Sequence, residues 1–181
     1  MPLRVIAGTL KGRKLDAPPG LETRPLPDRI KQSLFDWLGQ DLSGQTVADV
    51  CAGSGTFAFE ALSRGAKVVH AIESGRHAIP ILQANHQAIG APKELRIHTR
   101  AFQQVLPTLR DLDLIFCDPP FPWFSADPAA LTAMVTLAKA ALAPTGIILE
   151  RGERGENLPP IPGIMESERR AYGRSWIASL S

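Results

Sequence analysis

At 181 residues, 44% of them hydrophobic, the chain can bury one substantial core but not two of ordinary size. A net charge of +2 decides little by itself, and Cys51, Cys117 and four histidines (His70, His77, His86, His98) show no metal-ligand spacing or disulfide framework, so no metal is expected. No run approaches the roughly 20 apolar residues of a membrane helix, and the amino terminus has no signal-peptide pattern, so a soluble, cytoplasmic protein with no membrane contact is expected.

Residues 4–10 and 13–17 can pair around Lys11-Gly12 as a hairpin, followed by a proline-rich link over 18–27. This end is basic: residues 1–31 carry seven basic and three acidic side chains, and the remaining 150 sum to −2. A basic lobe on a nearly neutral body suits phosphate contact, although a solvated face explains the same charges. Residues 1–27 therefore read as hairpin and linker ahead of one globular unit, 28–181.

Over 28–38, Ile30, Leu34, Trp37 and Leu38 share a helical face, with Asp28 able to cap the start and Gly39 the end. Short apolar runs at 46–50, 67–72, 95–99, 113–117 and 145–150 then alternate with helical patterns at 56–64, 76–89, 102–109 and 128–142. That alternation predicts an α/β fold with a mostly parallel sheet covered on both faces. Pro80 fits an early helical turn, whereas Pro107 should distort its helix. Residues 164–171 and 175–180 read as two strands turning near Tyr172-Gly173, an antiparallel pair that finishes the sheet.

The first strand ends in Asp49-Val50-Cys51-Ala52-Gly53-Ser54-Gly55 and runs into a helix. Glycines there let the backbone turn sharply and approach a nucleoside cofactor. Glu73 ends the second strand 18 residues after Gly55, where a carboxylate can accept both ribose hydroxyls. Asp49 can pair with the amino group of a methionine moiety but would repel a pyrophosphate, and the loop lacks the lysine of a phosphate-cradling loop. S-adenosylmethionine thus fits better than NAD, although a surface acid at a strand end is the lesser reading of Asp49 taken alone.

Asp118-Pro119-Pro120-Phe121 follows the fourth strand, at the same carboxyl edge of the sheet. The prolines remove amide donors and hold an extended backbone, leaving a carboxylate, bare carbonyls and an aromatic ring. Such a pocket suits a planar base with an exocyclic amine: Asp118 and the Pro119 carbonyl would hold the amine hydrogens, and Phe121 would stack on the ring. An isolated Asp-Pro is a turn signal, but this one falls at the ligand-binding edge and ends in an aromatic. Trp123 nearby can touch substrate or simply anchor its loop.

These blocks resemble the bacterial RsmD family, methyltransferases that act on a guanine N2 of 16S ribosomal RNA. The resemblance is carried by Arg4-Val5-Ile6-Ala7-Gly8, Lys11-Gly12-Arg13-Lys14-Leu15, Arg24-Pro25, Asp28-Arg29, Ala52-Gly53-Ser54-Gly55, the run Glu60 through Ala66, and Asp118-Pro119-Pro120-Phe121. It implies a class I S-adenosylmethionine-dependent methyltransferase fold (Rossmann-like), with a seven-stranded sheet, an antiparallel last strand and a basic amino-terminal β-hairpin. It implies Asp49, Ala52, Gly53, Ser54, Gly55 and Glu73 at the cofactor. It also implies Arg4, Lys11, Arg13, Lys14, Arg24, Arg29 and Trp123 at RNA. Arg100 stands where the family often has an Asp or Asn, so adenine recognition would fall to the backbone around Ala101 and Phe102. The expected partner is ribosomal RNA or the assembling small subunit, engaged by a monomer. An adenine-N6 methyltransferase of DNA or RNA, and a non-catalytic RNA-binding or ribosome-assembly module, remain open on the residues alone.

Overall fold

In the computed structural model, residues 3–17 and 26–181 are described; most of the proline-rich link, with Arg24, lies outside them. The elements are β1 (Leu3–Arg4), β2 (Lys14–Leu15), α1 (Asp28–Leu38), β3 (Thr46–Val50), α2 (Thr56–Ser63), β4 (Val68–Ile72), α3 (Ile79–Ala88), β5 (Leu95–His98), α4 (Phe102–Val105), β6 (Leu112–Cys117), α5 (Trp123–Ala126), α6 (Pro128–Ala141), β7 (Leu142–Glu153), β8 (Glu166–Tyr172) and β9 (Ser175–Leu180). Seven strands form one sheet in the order β5-β4-β3-β6-β7-β9-β8, and β1 pairs with β2 apart from it. The strands from β5 to β7 are parallel, and β9 runs antiparallel to both its neighbours.

Strand periodicity divides the core in two. Val47, Leu114, Phe116 and Leu149 face a layer with α1, α2 and the hairpin. Ala48, Val50, Ile115, Cys117 and Ile148 face α4, α5 and α6 on the other side. Every central strand is buried on both faces, which is why these segments read as continuous apolar runs.

Three local expectations change. Asp28 does not cap α1: Pro27 does, its carbonyl accepting from the Ile30 and Lys31 amides, while Asp28 binds Arg4 (2.9 Å) and Lys31 (3.2 Å). The hairpin strands are two residues long, because α2 takes the donors that a longer ladder would use. The Ile6 amide donates to Glu60 Oε1 (2.6 Å), the Thr9 amide to the Ser63 carbonyl (2.8 Å) and the Leu10 amide to Ser63 Oγ (2.9 Å). Gly8 makes this approach possible, since its φ is +76° and a Cβ there would lie 1.8 Å from the Ser63 carbonyl oxygen. Finally, β7 begins at Leu142 rather than 145: Leu142 pairs with Leu112, residues 143–146 step out of register, and the ladder resumes at Ile147. Pro107 converts the end of its helix to a 3-10 turn, Leu106–Thr108, as expected.

The basic lobe is partly neutralised from within. Lys31 is fully buried, donating to the Arg4 carbonyl and lying 3.1 Å from Glu60 Oε1, and Arg64 Nε lies 3.5 Å from Glu60 Oε2. Glu60 thus joins α1, α2 and the hairpin through one buried carboxylate.

On β4 and β5, His70 Nδ1 lies 2.9 Å from His98 Nε2. Burial first, then His98 and Arg96, push the His70 pKa from its ordinary 6.5 down to about 4. The unfolded chain therefore takes up the proton first as pH falls, and stability is lost as pH drops from about 6.5 toward 4, by up to about 3 kcal/mol at 1.4 per unit. Melting temperatures between pH 7 and 4.5 should fall less steeply for His70→Gln than for wild type; equal slopes would exclude this histidine as a source of acid lability.

Candidate active site

The carboxyl ends of β3, β4 and β6 open into one cavity of about 1090 Å³. Its lining brings together Asp49, Ala52, Gly53, Ser54, Glu73, Ala101, Phe102, Asp118, Pro119, Pro120, Phe121 and Trp123, all singled out from the sequence. Ladder-like bonds beyond the strand ends hold these segments side by side: the Ala52 amide donates to the Ile72 carbonyl (3.0 Å), the Glu73 amide to His98 (3.0 Å) and the Asp118 amide to Val50 (3.1 Å). Phe57 and Phe116 stack at 4.3 Å between ring centroids, and both line the cavity.

Gly53 and Gly55 do different work. A Cβ on Gly53 (φ +57°) would meet nothing within 4 Å, so the turn borders open space. Gly55 does not line the cavity; it precedes α2, and a Cβ there would lie 2.5 Å from Leu82 Cδ1 and 2.6 Å from Phe59 Cε2.

Glu73 is aimed by the backbone, accepting from the Gly53 amide (2.7 Å) and the Gly75 amide (2.6 Å), with one lone pair left on each oxygen. Asp49 is 1% exposed and accepts from the Ala58 amide (3.0 Å). Burial, then the negative charges of Asp118 and Glu73, hold its carboxyl well above the usual range despite that bond. Burial also raises Asp118, with Arg151 opposing the rise, and pushes the Cys51 and Cys117 thiols up, so neither thiol is an activated nucleophile. The cavity therefore gathers carboxylates whose mutual repulsion a cationic ligand would relieve.

Arg151 and Glu150 were missed at the level of sequence. Arg151 is 3% exposed, lines the cavity and donates from Nη1 to both Asp118 oxygens (2.9 and 3.2 Å), while its Cζ lies 5.2 Å from the Phe121 ring centroid. Glu150 is fully buried, paired in register with Cys117, and burial holds its carboxyl well above the usual range. Both follow the apolar run 147–149 at the sheet's carboxyl edge, the position that had already singled out Asp49, Glu73 and Asp118.

The residues expected at RNA are placed unevenly. Trp123 lines the cavity, 6.1 Å from Phe102 between centroids. Arg4, Lys11, Arg13, Lys14 and Arg29 are exposed and lie outside the lining. Arg4 is paired with Asp28, and the hairpin tip is fixed at Ser63, one helix length from the glycine turn, about 12 Å for eight residues. Among the described residues no His, Cys, Asp and Glu cluster could hold a metal ion, and no helix is long and apolar enough to cross a membrane.

Three relatives match this arrangement over most of its length. The chain is 30% identical to YlbH of Bacillus subtilis (strain 168), over 97% of both chains. It is 34% identical to Ribosomal RNA small subunit methyltransferase D of Haemophilus influenzae, over 70% of this chain and 68% of that one. The solved structure of yhhF from Escherichia coli matches with a TM-score of 0.82 at 28% identity, covering 99% of this chain and 97% of that one. The fold is the Rossmann-like methyltransferase fold expected from the sequence. With residues 3–180 matched, from the hairpin through the last strand, this chain belongs to the family described as Conserved hypothetical protein 95.

Proposed function

We propose that this protein methylates the exocyclic N2 amine of a guanine in small-subunit ribosomal RNA, in the cytoplasm, with S-adenosylmethionine as donor. The observation that carries the reading is the single cavity shared by the glycine turn and the Asp118-Pro119-Pro120-Phe121 run, 63 residues after Gly55 in sequence. The Haemophilus influenzae relative, named for small-subunit rRNA methylation, supports the substrate.

The donor fits the residues present. It brings a sulfonium and an ammonium, and the cavity offers carboxylates at Asp49, Glu73 and Asp118; Glu73 keeps acceptor capacity for two hydroxyls, and open space borders Gly53. When bound it supplies an electrophilic methyl carbon. Asp49 would neutralise the ammonium, and the Ala101-Phe102 backbone would meet the adenine. Asp118 and the Pro119 carbonyl would accept the amine hydrogens, turning the nitrogen lone pair out of the ring, and Phe121 would stack on the guanine. With the donor bound, Asp118, whose pKa burial raises, would receive the proton that the amine gives up on methylation.

Incubation of isolated small subunits with methyl-labelled donor should give N2-methylguanosine on nucleoside digestion. Methyladenosine alone would overturn the substrate, and no labelled nucleoside would favour a non-catalytic binding module. Lys11, Arg13 and Lys14, exposed along the hairpin, would hold RNA phosphates away from the target base. Reversing their charges should weaken RNA binding and flatten its dependence on salt; an equal loss at every salt concentration would remove them from the interface.

A further inference from the structure

We propose that Arg151 is a positioning residue: its guanidinium keeps Asp118 in the orientation and charge state of an acceptor and braces the Phe121 ring beside it. The proposal rests on the methyl-transfer reading above.

Arg151 reaches the motif from β7, paired in register with Ile177 of β9, and its Nη2 lies 3.5 Å from Ser175 Oγ. One nitrogen, Nη1, serves both Asp118 oxygens, so each oxygen retains a lone pair for an amine hydrogen. The same group lies against the Phe121 ring, so the acceptor and the stacking surface are fixed by one side chain that is itself immobilised by burial.

The surrounding charges make this cation necessary. Around Asp118 stand Asp49 and Cys51 from the end of β3 and Glu150 from β7, with Glu73 after β4 in the same cavity lining, all anionic or neutral. Without the guanidinium the effect of burial on the half-buried Asp118 goes unopposed, and its carboxyl shifts further toward the protonated form. A protonated carboxyl points a donor at the amine hydrogens, which is the wrong polarity for directing the nitrogen lone pair. Arg151 opposes burial at Asp118 through both its charge and its hydrogen bonds.

The test pairs Arg151→Met, close in volume and uncharged, with Arg151→Lys, which keeps the charge and loses the planar contact. Asp118 is followed by carbon NMR of its carboxyl in the free protein, and by the acidic limb of kcat/KM against pH. The Met variant should move both upward by at least about one pH unit, a tenfold loss of turnover on that limb. The Lys variant should hold both within half a unit while raising KM for RNA several-fold. If the Met variant leaves the carboxyl titration and the limb where they were, with kcat falling only as far as thermal stability falls, Arg151 is structural and the proposal fails. If the Met variant turns over faster than wild type at neutral pH, the guanidinium obstructs Asp118 and the proposal also fails. The NMR titration needs no substrate, so an inactive wild-type protein would overturn the methyl-transfer reading while Asp118 still reports on Arg151.

Discussion

Asp118→Ala lowers kcat by about a thousandfold or more, a barrier increase of about 4 kcal/mol, in methyl incorporation assays on isolated small subunits. The size follows from what is lost. In the proposed mechanism the amine nitrogen is a poor nucleophile while its lone pair is delocalised into the base, and with Asp118 gone only the Pro119 carbonyl would remain to turn it. Asp118→Asn keeps one acceptor oxygen but puts a donor in place of the other and cannot take the amine proton, so it should recover only part of that loss. The two variants also separate chemistry from folding. Both variants withdraw the negative charge from Arg151, which is 3% exposed, so some thermal stability goes with the activity in each; asparagine, whose oxygen can still accept from Nη1, should lose less. Retention of more than a tenth of wild-type kcat in the alanine variant would show that the carboxylate is not at the reacting amine.

Glu60→Ala should cost about 3 to 5 kcal/mol of folding free energy, because it removes a buried partner and leaves cations behind. Glu60 and Lys31 are both fully buried, Arg64 is nearly so, and the same carboxylate accepts the Ile6 amide of the hairpin. For a chain of this length that corresponds to a fall in Tm on the order of 10 °C. Hydrogen exchange at Ile6 should accelerate in step. The double variant Lys31→Met, Glu60→Gln should lose less than the two single losses combined, since it leaves no ammonium opposite a vanished carboxylate. Strict additivity, or a shift in Tm of only a degree or two, would mean that solvent reaches the network and screens it.

What the sequence made legible is what depends on neighbours along the chain. The bounds of α1 and β3 come out residue for residue, because a helical stripe ending at Gly39 and a β-rich run ending at a glycine turn are local patterns. The glycine turn, Glu73 and Asp118 could be placed in one cavity because strand–helix alternation puts every strand end on the same edge. The short hairpin strands, Pro27 as the cap of α1 and the out-of-register step in β7 escaped, since each is settled by a group distant in sequence: Ser63 and Glu60 for the hairpin, Arg4 for Asp28, Leu112 for Leu142. Arg151 escaped for the same reason, its partner lying 33 residues away.

The strand order β4-β3-β6-β7 also sets when the site can exist during synthesis. The glycine turn and Glu73 emerge from the ribosome early, but the wall opposite them is built from a strand ending at Cys117, and the arginine behind that wall comes from the next. A nascent chain paused before residue 118 should transfer no methyl group however well its first half has collapsed, and one paused after 151 has emerged should begin to.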